Sequence, residues 1–189
     1  MRIAVDIDGV LADQVSAVLS EIEKDWGVRY AKNDVIRARW KFAGGDIGSE
    51  IARLLADPDY VMRVPILEGA QEAIKQLSRH DLLVVTARRP NAEQATRMWL
   101  AEHFPGLVRY HHARTGTKQV IPSDVLIDDL DMNIVEFVRS DPRRRGVLFQ
   151  HPWSLNDTDI EDYADQVYYC PRWQSVIEAI EEIDIETPS

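Results

Sequence analysis

The stretch Arg2-Ile3-Ala4-Val5-Asp6-Ile7-Asp8-Gly9-Val10 decides the fold. A short apolar run that ends in carboxylates has the character of a buried parallel strand, covered on both faces. Asp6 and Asp8 then flank a bend, and Gly9 lets the backbone turn sharply after it. The pattern recurs twice downstream. Leu82-Leu83-Val84-Val85 is a β-prone run that ends at Thr86, and Val125-Leu126-Ile127 runs into Asp128-Asp129. Further short strands are expected at 107–110, 147–149 and 167–169.

Between these runs the apolar spacing is helical. Val15, Val18, Leu19 and Ile22 predict a helix over 14–25, and a second covers 47–55 before a break at Asp57-Pro58. Ala70, Ile74 and Leu77 turn inward in a helix over 68–77. Ala95, Met98 and Trp99 do the same over 91–103, which Pro105-Gly106 closes. Two more helices are expected around 134–138 and 175–183. Strands alternating with helices predict an α/β fold, a parallel sheet with helices on both faces. Ligands bind beyond the carboxyl ends of such strands, so Asp6, Thr86 and Asp128-Asp129 point to one site. Residues 14–64 interrupt the alternation and form a candidate insertion after the first strand, leaving 1–13 and 65–189 as the core.

The chain has 189 residues, enough for one well-filled core with a small insertion. Its hydrophobic and charged fractions, 45% and 29%, are those of an ordinary globular protein. A net charge of −10 argues against binding a nucleic-acid polymer, which needs a surplus of Lys and Arg. It does not argue against a small phosphorylated ligand, which feels the local field of a bound cation and a few basic groups. Cys170 is the sole cysteine, so no intrachain disulfide can form. The sequence opens directly on a strand and contains no long apolar span. A cytoplasmic enzyme that needs no membrane is expected, and a homo-oligomer stays open.

Two carboxylates as close as Asp6 and Asp8 repel unless a cation sits between them or one takes a proton. A hard divalent ion with oxygen ligands, Mg2+, resolves the conflict. It also screens a phosphate dianion that approaches an anionic nucleophile. A carboxylate can accept a phosphoryl group covalently, and a second can protonate the leaving oxygen. Thr86 offers a hydroxyl, and with the backbone N–H groups around Ala87 it suits phosphate oxygens; a helix cap is the other reading. Lys118, just before the third strand, would supply positive charge to the phosphoryl group and the nucleophile. Asp128-Asp129 place charge where burial is costly without a partner. Asp129 can complete a metal sphere, Asp128 can orient neighbours, and Asn133 can hydrogen-bond the cluster.

These elements, in this order, resemble the haloacid dehalogenase superfamily, specifically its phosphatases. Asp6-x-Asp8-Gly9-Val10, Thr86, Lys118 and Asp128-Asp129 with Asn133 match its four motifs. The resemblance implies Asp6 as nucleophile, Asp8 as general acid–base residue, and Thr86 and Lys118 as phosphate clamps. It implies Mg2+ held by the Asp6 carboxylate, the Asp8 main-chain carbonyl and Asp129. It also implies a Rossmann-like core with a small helical cap at 14–64. Asp-Ile-Asp-Gly-Val-Leu-Ala-Asp, Val-Thr-Ala-Arg-Arg-Pro and Leu-Ile-Asp-Asp-Leu-Asp-Met-Asn are similar to the 5′(3′)-deoxyribonucleotidase-like branch. The implied substrate is therefore a nucleoside monophosphate, with sugar phosphates or phosphoglycolate as alternatives.

A phospho-accepting receiver module also gathers aspartates, a threonine and a lysine around Mg2+. Its acidic pair comes early, whereas here Asp128-Asp129 follow Lys118. A dehalogenase on the same scaffold lacks the acid at the second position, and a silent binding protein would not retain every catalytic side chain. Trp26, Tyr30, Trp40 and Phe42 could stack a nucleobase or pack the insertion's own core. Arg37, Arg39 and Lys41 could meet a phosphate but suit a solvated face. His111-His112 is read as a polar loop, Arg143-Arg144-Arg145 as a solvated turn, and residues 156–165 as an acidic surface loop.

Overall fold

The computed structural model describes residues 1–156 and 158–186. Strands β1 (Arg2–Val5), β4 (Asp81–Thr86), β5 (Tyr110–His112), β6 (Val125–Asp128), β7 (Arg145–Phe149) and β8 (Val167–Cys170) form one sheet. Their order is β5-β4-β1-β6-β7-β8, and every pairing is parallel. A separate antiparallel hairpin joins β2 (Lys41–Phe42) to β3 (Gly45–Asp46).

Alternation along the strands sorts side chains between two apolar layers. Ile3, Val5, Val84, Ile127 and Val147 face one way, against α1 (Gln14–Trp26), α4 (Ala70–Gln76), α5 (Glu93–His103) and α7 (Trp173–Glu186). Ala4, Leu83, Val85, Leu126 and Leu148 face the other way, against α6 (Asp131–Arg139). Both faces are covered, which is why β1 and β6 carry unbroken apolar runs at 3–5 and 125–127. From β1 the chain proceeds to β4 on one side and later to β6 on the other. Connections that leave in opposite directions open a crevice beyond the strand ends, and Asp6, Thr86 and Asp128 stand there.

Between β1 and α4 lie α1, a 3-10 turn at Lys32–Asp34, the β2–β3 hairpin, α2 (Ile47–Leu54) and α3 (Pro58–Arg63). Aspartates start these helices. Asp13 accepts from Ser16 N at 3.4 Å, and Asp46 accepts from Ser49 N at 3.0 Å. Asp57-Pro58 is not a simple break, as the sequence suggested, but the start of α3. Asp57 caps it, and Pro58 takes the first helical position, where its missing N–H costs nothing. The Trp99 indole donates to Val64 O at 2.9 Å and fastens the end of α3 to α5.

Three further expectations need correction. The strand expected at 107–110 lies at Tyr110–His112, so His111 and His112 belong to the edge strand rather than to a loop. An edge strand has one neighbour and tolerates exposed polar side chains. The arginine triplet is not wholly a turn. Arg145 begins β7, and Arg144 lies over the Phe137 ring and donates to Gln119 O at 2.7 Å. The acidic segment contains a 3-10 turn at Ile160–Tyr163 with Ile160 buried, while Asp157 lies outside the described residues. Among the described residues no helix is long and apolar enough to cross a membrane.

Candidate active site

The strand ends bring three carboxylates together. Oxygens of Asp6, Asp128 and Asp129, one from each, lie within 4.8 Å of one another, and all three residues are buried. Asp6 N donates to Ile127 O at 2.9 Å, which extends the β1–β6 ladder and fixes Asp6 beside the acidic pair. Lys118, 2% exposed, sits among them, with Nζ 2.9 Å from Asp6 Oδ1 and 2.6 Å from Asp128 Oδ2. Asn133 completes the frame. Its Nδ2 donates to Asp128 Oδ1 at 2.9 Å, and its Oδ1 accepts from Gly116 N at 2.7 Å, holding the loop that carries Lys118. With Leu130 N donating to Asp128 Oδ1 at 3.0 Å, Asp128 is fully engaged by the protein.

Three buried acids face one ammonium. Burial pushes the Asp6 carboxyl up to about 7, against the opposing pull of Lys118 and with the help of Asp128 and Asp8. Burial, then Asp128 and Asp6, hold Asp129 well above the usual carboxylate range. Burial alone would lower Lys118, but Asp128 and Asp6 outweigh it and hold its ammonium above the usual lysine range. The surplus of negative charge and the all-oxygen donor set fit a hard divalent cation such as Mg2+.

Asp8 stands apart from this cluster. Its carboxylate meets the buried guanidinium of Arg88, which donates from Nη2 to Oδ1 at 2.6 Å and from Nε to Oδ2 at 3.0 Å. Arg88 N donates to Thr86 Oγ1 at 3.2 Å, so the strand end at Thr86, the following Ala87 and the Asp8 loop form one unit. From Ile7 to Ala12, around Asp8, the chain makes a tight turn, with Leu11 N and Ala12 N both donating to Ile7 O. Gly9 has φ of 77°, and a Cβ there would fall 2.2 Å from Asp129 Oδ2. Glycine is thus required both by the backbone and by the acid beside it.

Two side chains behind the cluster carry no signal in the sequence. Trp153 donates its indole N–H to Asp129 Oδ2 at 2.7 Å. His151 stacks on Trp153 at 4.2 Å between ring centres, and its Nε2–H donates to Gly9 O at 2.7 Å. Burial pushes the imidazole down to about 4, so it is neutral at pH 7.

A cavity of about 280 Å³ opens above these groups. Asp6, Asp8, Ala87, Arg88, Lys118 and Asp129 form its floor, and Val15, Val35, Ile47, Ile51 and Leu55 form an aliphatic wall. Gln14 also lines it. That side chain is 1% exposed, donates from Nε2 to Tyr60 Oη at 2.9 Å and leaves Oε1 without a partner. The four aromatic residues considered for base stacking do not line the cavity. They pack on one another, with Tyr30–Trp40 ring centres 4.9 Å apart and Trp40–Phe42 6.3 Å apart. Arg37 does reach the cavity, whereas Arg39 and Lys41 are not among its lining residues.

Comparison with solved structures returns the same architecture. A haloacid dehalogenase-family hydrolase from Deinococcus radiodurans, solved with bound phosphate and sodium, superposes with a TM-score of 0.60. It is 14% identical in sequence, and the match covers 100% of this chain and 98% of that one. A haloacid dehalogenase-like hydrolase from Streptococcus pneumoniae gives 0.59 at 14% identity, over 95% and 97% of the two chains. Among curated proteins, the 5′(3′)-deoxyribonucleotidase of Bacillus subtilis is 28% identical over 170 residues, covering 82% of this chain and 88% of that protein. A Staphylococcus epidermidis relative, provisionally given the same name, is 30% identical over 163 residues, covering 85% and 88%. The model of the family described as 5′ nucleotidase, deoxy (pyrimidine), cytosolic type C matches residues 1–181, and the chain belongs to this family of haloacid dehalogenase-type hydrolases.

Proposed function

We propose that this phosphatase hydrolyses the phosphomonoester of a (deoxy)nucleoside monophosphate through an aspartyl-phosphate formed on Asp6, with Mg2+ as its metal. The observation that carries the reading is the meeting of Asp6, Lys118, Asp128 and Asp129 at the floor of the cavity. The Asp6 carboxylate and Asp129, with the Asp8 main-chain carbonyl, would hold the ion, which would supply positive charge to the phosphoryl oxygens.

An Asp6 oxygen attacks phosphorus as the ester P–O bond breaks, and Asp8 delivers a proton to the departing oxygen. Water then attacks the phosphorus of the aspartyl-phosphate. Asp8 takes its proton, the bond to Asp6 breaks, and inorganic phosphate leaves. Lys118 neutralises Asp6 and the incoming phosphoryl group, while Thr86 and the backbone around Ala87 clamp phosphate oxygens. Asp128 and Asn133 hold Lys118 and its loop in register.

Residues 14–64 act as a cap that supplies the leaving-group side. Its aliphatic residues suit the flat, weakly polar body of a nucleobase better than a polyhydroxylated sugar, whose hydroxyls would lose water without gaining partners. Phosphate release from a panel of phosphomonoesters, with and without Mg2+, tests the assignment. Nucleoside monophosphates should exceed sugar phosphates by at least about tenfold in kcat/KM, a gap of about 1.4 kcal/mol. A preference for sugar phosphates, or release indifferent to metal, would contradict it.

A further inference from the structure

Arg88 is a buried guanidinium on the floor of the cavity for which the reaction above has no use. It is 3% exposed, and its four nitrogens donate to three partners. Nη2 and Nε grip the Asp8 carboxylate, Nη1 donates to the buried Thr96 Oγ1 of α5 at 3.2 Å, and its main-chain N–H is tied to Thr86. A charge so deeply buried is tolerated only when paired, and Asp8 is the carboxylate that pairs it. The planar fork fixes the carboxylate in orientation as well as in position, which an ammonium cannot do. Asp8 sits on a loop after β1 and is in part exposed, so without that fork its side chain has rotamer freedom to leave the cavity.

We propose that Arg88 is a positioning residue that holds Asp8 at the cavity by gripping Oδ1, while Oδ2, which accepts from Nε alone, carries the proton for the leaving oxygen, with Thr96 anchoring the guanidinium from behind. The inference rests on the acid–base role assigned to Asp8. A misplaced acid costs most when the departing group needs its proton and little when it does not. A nucleoside alkoxide needs it, whereas p-nitrophenolate leaves unaided.

The test compares kcat/KM for thymidine 5′-monophosphate and p-nitrophenyl phosphate in the parent, Asp8→Asn, Arg88→Lys and the double variant. Arg88→Lys should lower the nucleotide value at least about tenfold and the p-nitrophenyl value by less than about threefold. Added to Asp8→Asn, it should change either value by less than about twofold, because the two side chains act as a unit. Arg88→Ala should regain part of its nucleotide activity with added guanidinium ion. Equal losses on both substrates, additive losses in the double variant, or an Arg88→Lys chain that does not fold would assign the side chain to phosphate binding or to the fold and overturn the proposal. Asp8→Asn without substrate selectivity would instead undo the role of Asp8 itself.

Discussion

Lys118 is common to Asp6 and Asp128, but the rest of each acid's surroundings differs, and the differences set the roles. Asp128 accepts on both oxygens, from Lys118 on Oδ2 and from Asn133 and Leu130 N on Oδ1, and is the acid most occupied by the protein itself. Asp129 has one oxygen on Trp153, and Asp6 shares Lys118. In the proposed site the indole aims Asp129 at the ion, and groups that orient metal ligands typically change affinity by about 10–100-fold when removed. Trp153→Phe keeps the stacked ring but deletes the donor. It should raise the Mg2+ concentration for half-maximal activity by about tenfold while leaving KM for substrate near the parent value, as metal titrations would show. Asp6, Thr86, Asp128 and Asp129 are legible in the sequence because each ends an apolar run, where a polar residue needs an explanation, while Lys118 and Asn133 are legible through their place in the order of the family's motifs. Arg88, Trp153 and Gln14 are not, because their partners lie 80, 24 and 46 positions away along the chain. Arg88 had one available cue, its place two residues after Thr86 at the same strand end.

At the scale of elements, the sheet positions the site and α6 braces the sheet. Gly146, in β7, lies under that helix, and a Cβ there would fall 2.5 Å from Ile134 Cγ2 and 3.2 Å from Val138 Cγ1. Close helix–strand packing of this kind leaves no room for a methyl group. Gly146→Ala should therefore destabilise the fold by about 1–3 kcal/mol, seen as a lower urea midpoint with unchanged slope. Central strands were legible because burial on both faces leaves continuous apolar runs. The edge strand was displaced in the reading because Leu107 and Val108 looked more β-like than Tyr110-His111-His112, and an edge imposes no apolar pattern. Helix α3 escaped notice because its six residues fall short of two helical turns, too few to show a period.

For the molecule as a whole, the acids that serve the site and the histidine beneath it act in opposite senses on stability. Burial holds His151 at about 4, against an ordinary value of 6.5. Below pH 6.5 the unfolded chain takes up a proton that the folded protein refuses, so stability contributed by the neutral imidazole is present above 6.5 and is lost as the pH falls toward about 4. Asp6 and Asp129, with folded values raised, titrate the other way and gain relative stability on acidification. His151→Gln should remove the first contribution alone. Its melting temperature should fall less than the parent's between pH 7 and pH 5, and an equal fall in both proteins would count against a buried neutral histidine.

In the proposed reaction Asp6 carries the phosphoryl group during turnover. Acid-quenching the enzyme while it turns over thymidine 5′-monophosphate with Mg2+, followed by borohydride reduction and peptide mass spectrometry, examines that directly. The residue recovered at position 6 should be homoserine, Asp8, Asp128 and Asp129 should be unmodified, and Asp6→Asn should yield neither product nor trapped species. Full turnover with position 6 unmodified, or a reduced residue at another of these aspartates, would contradict that role of Asp6.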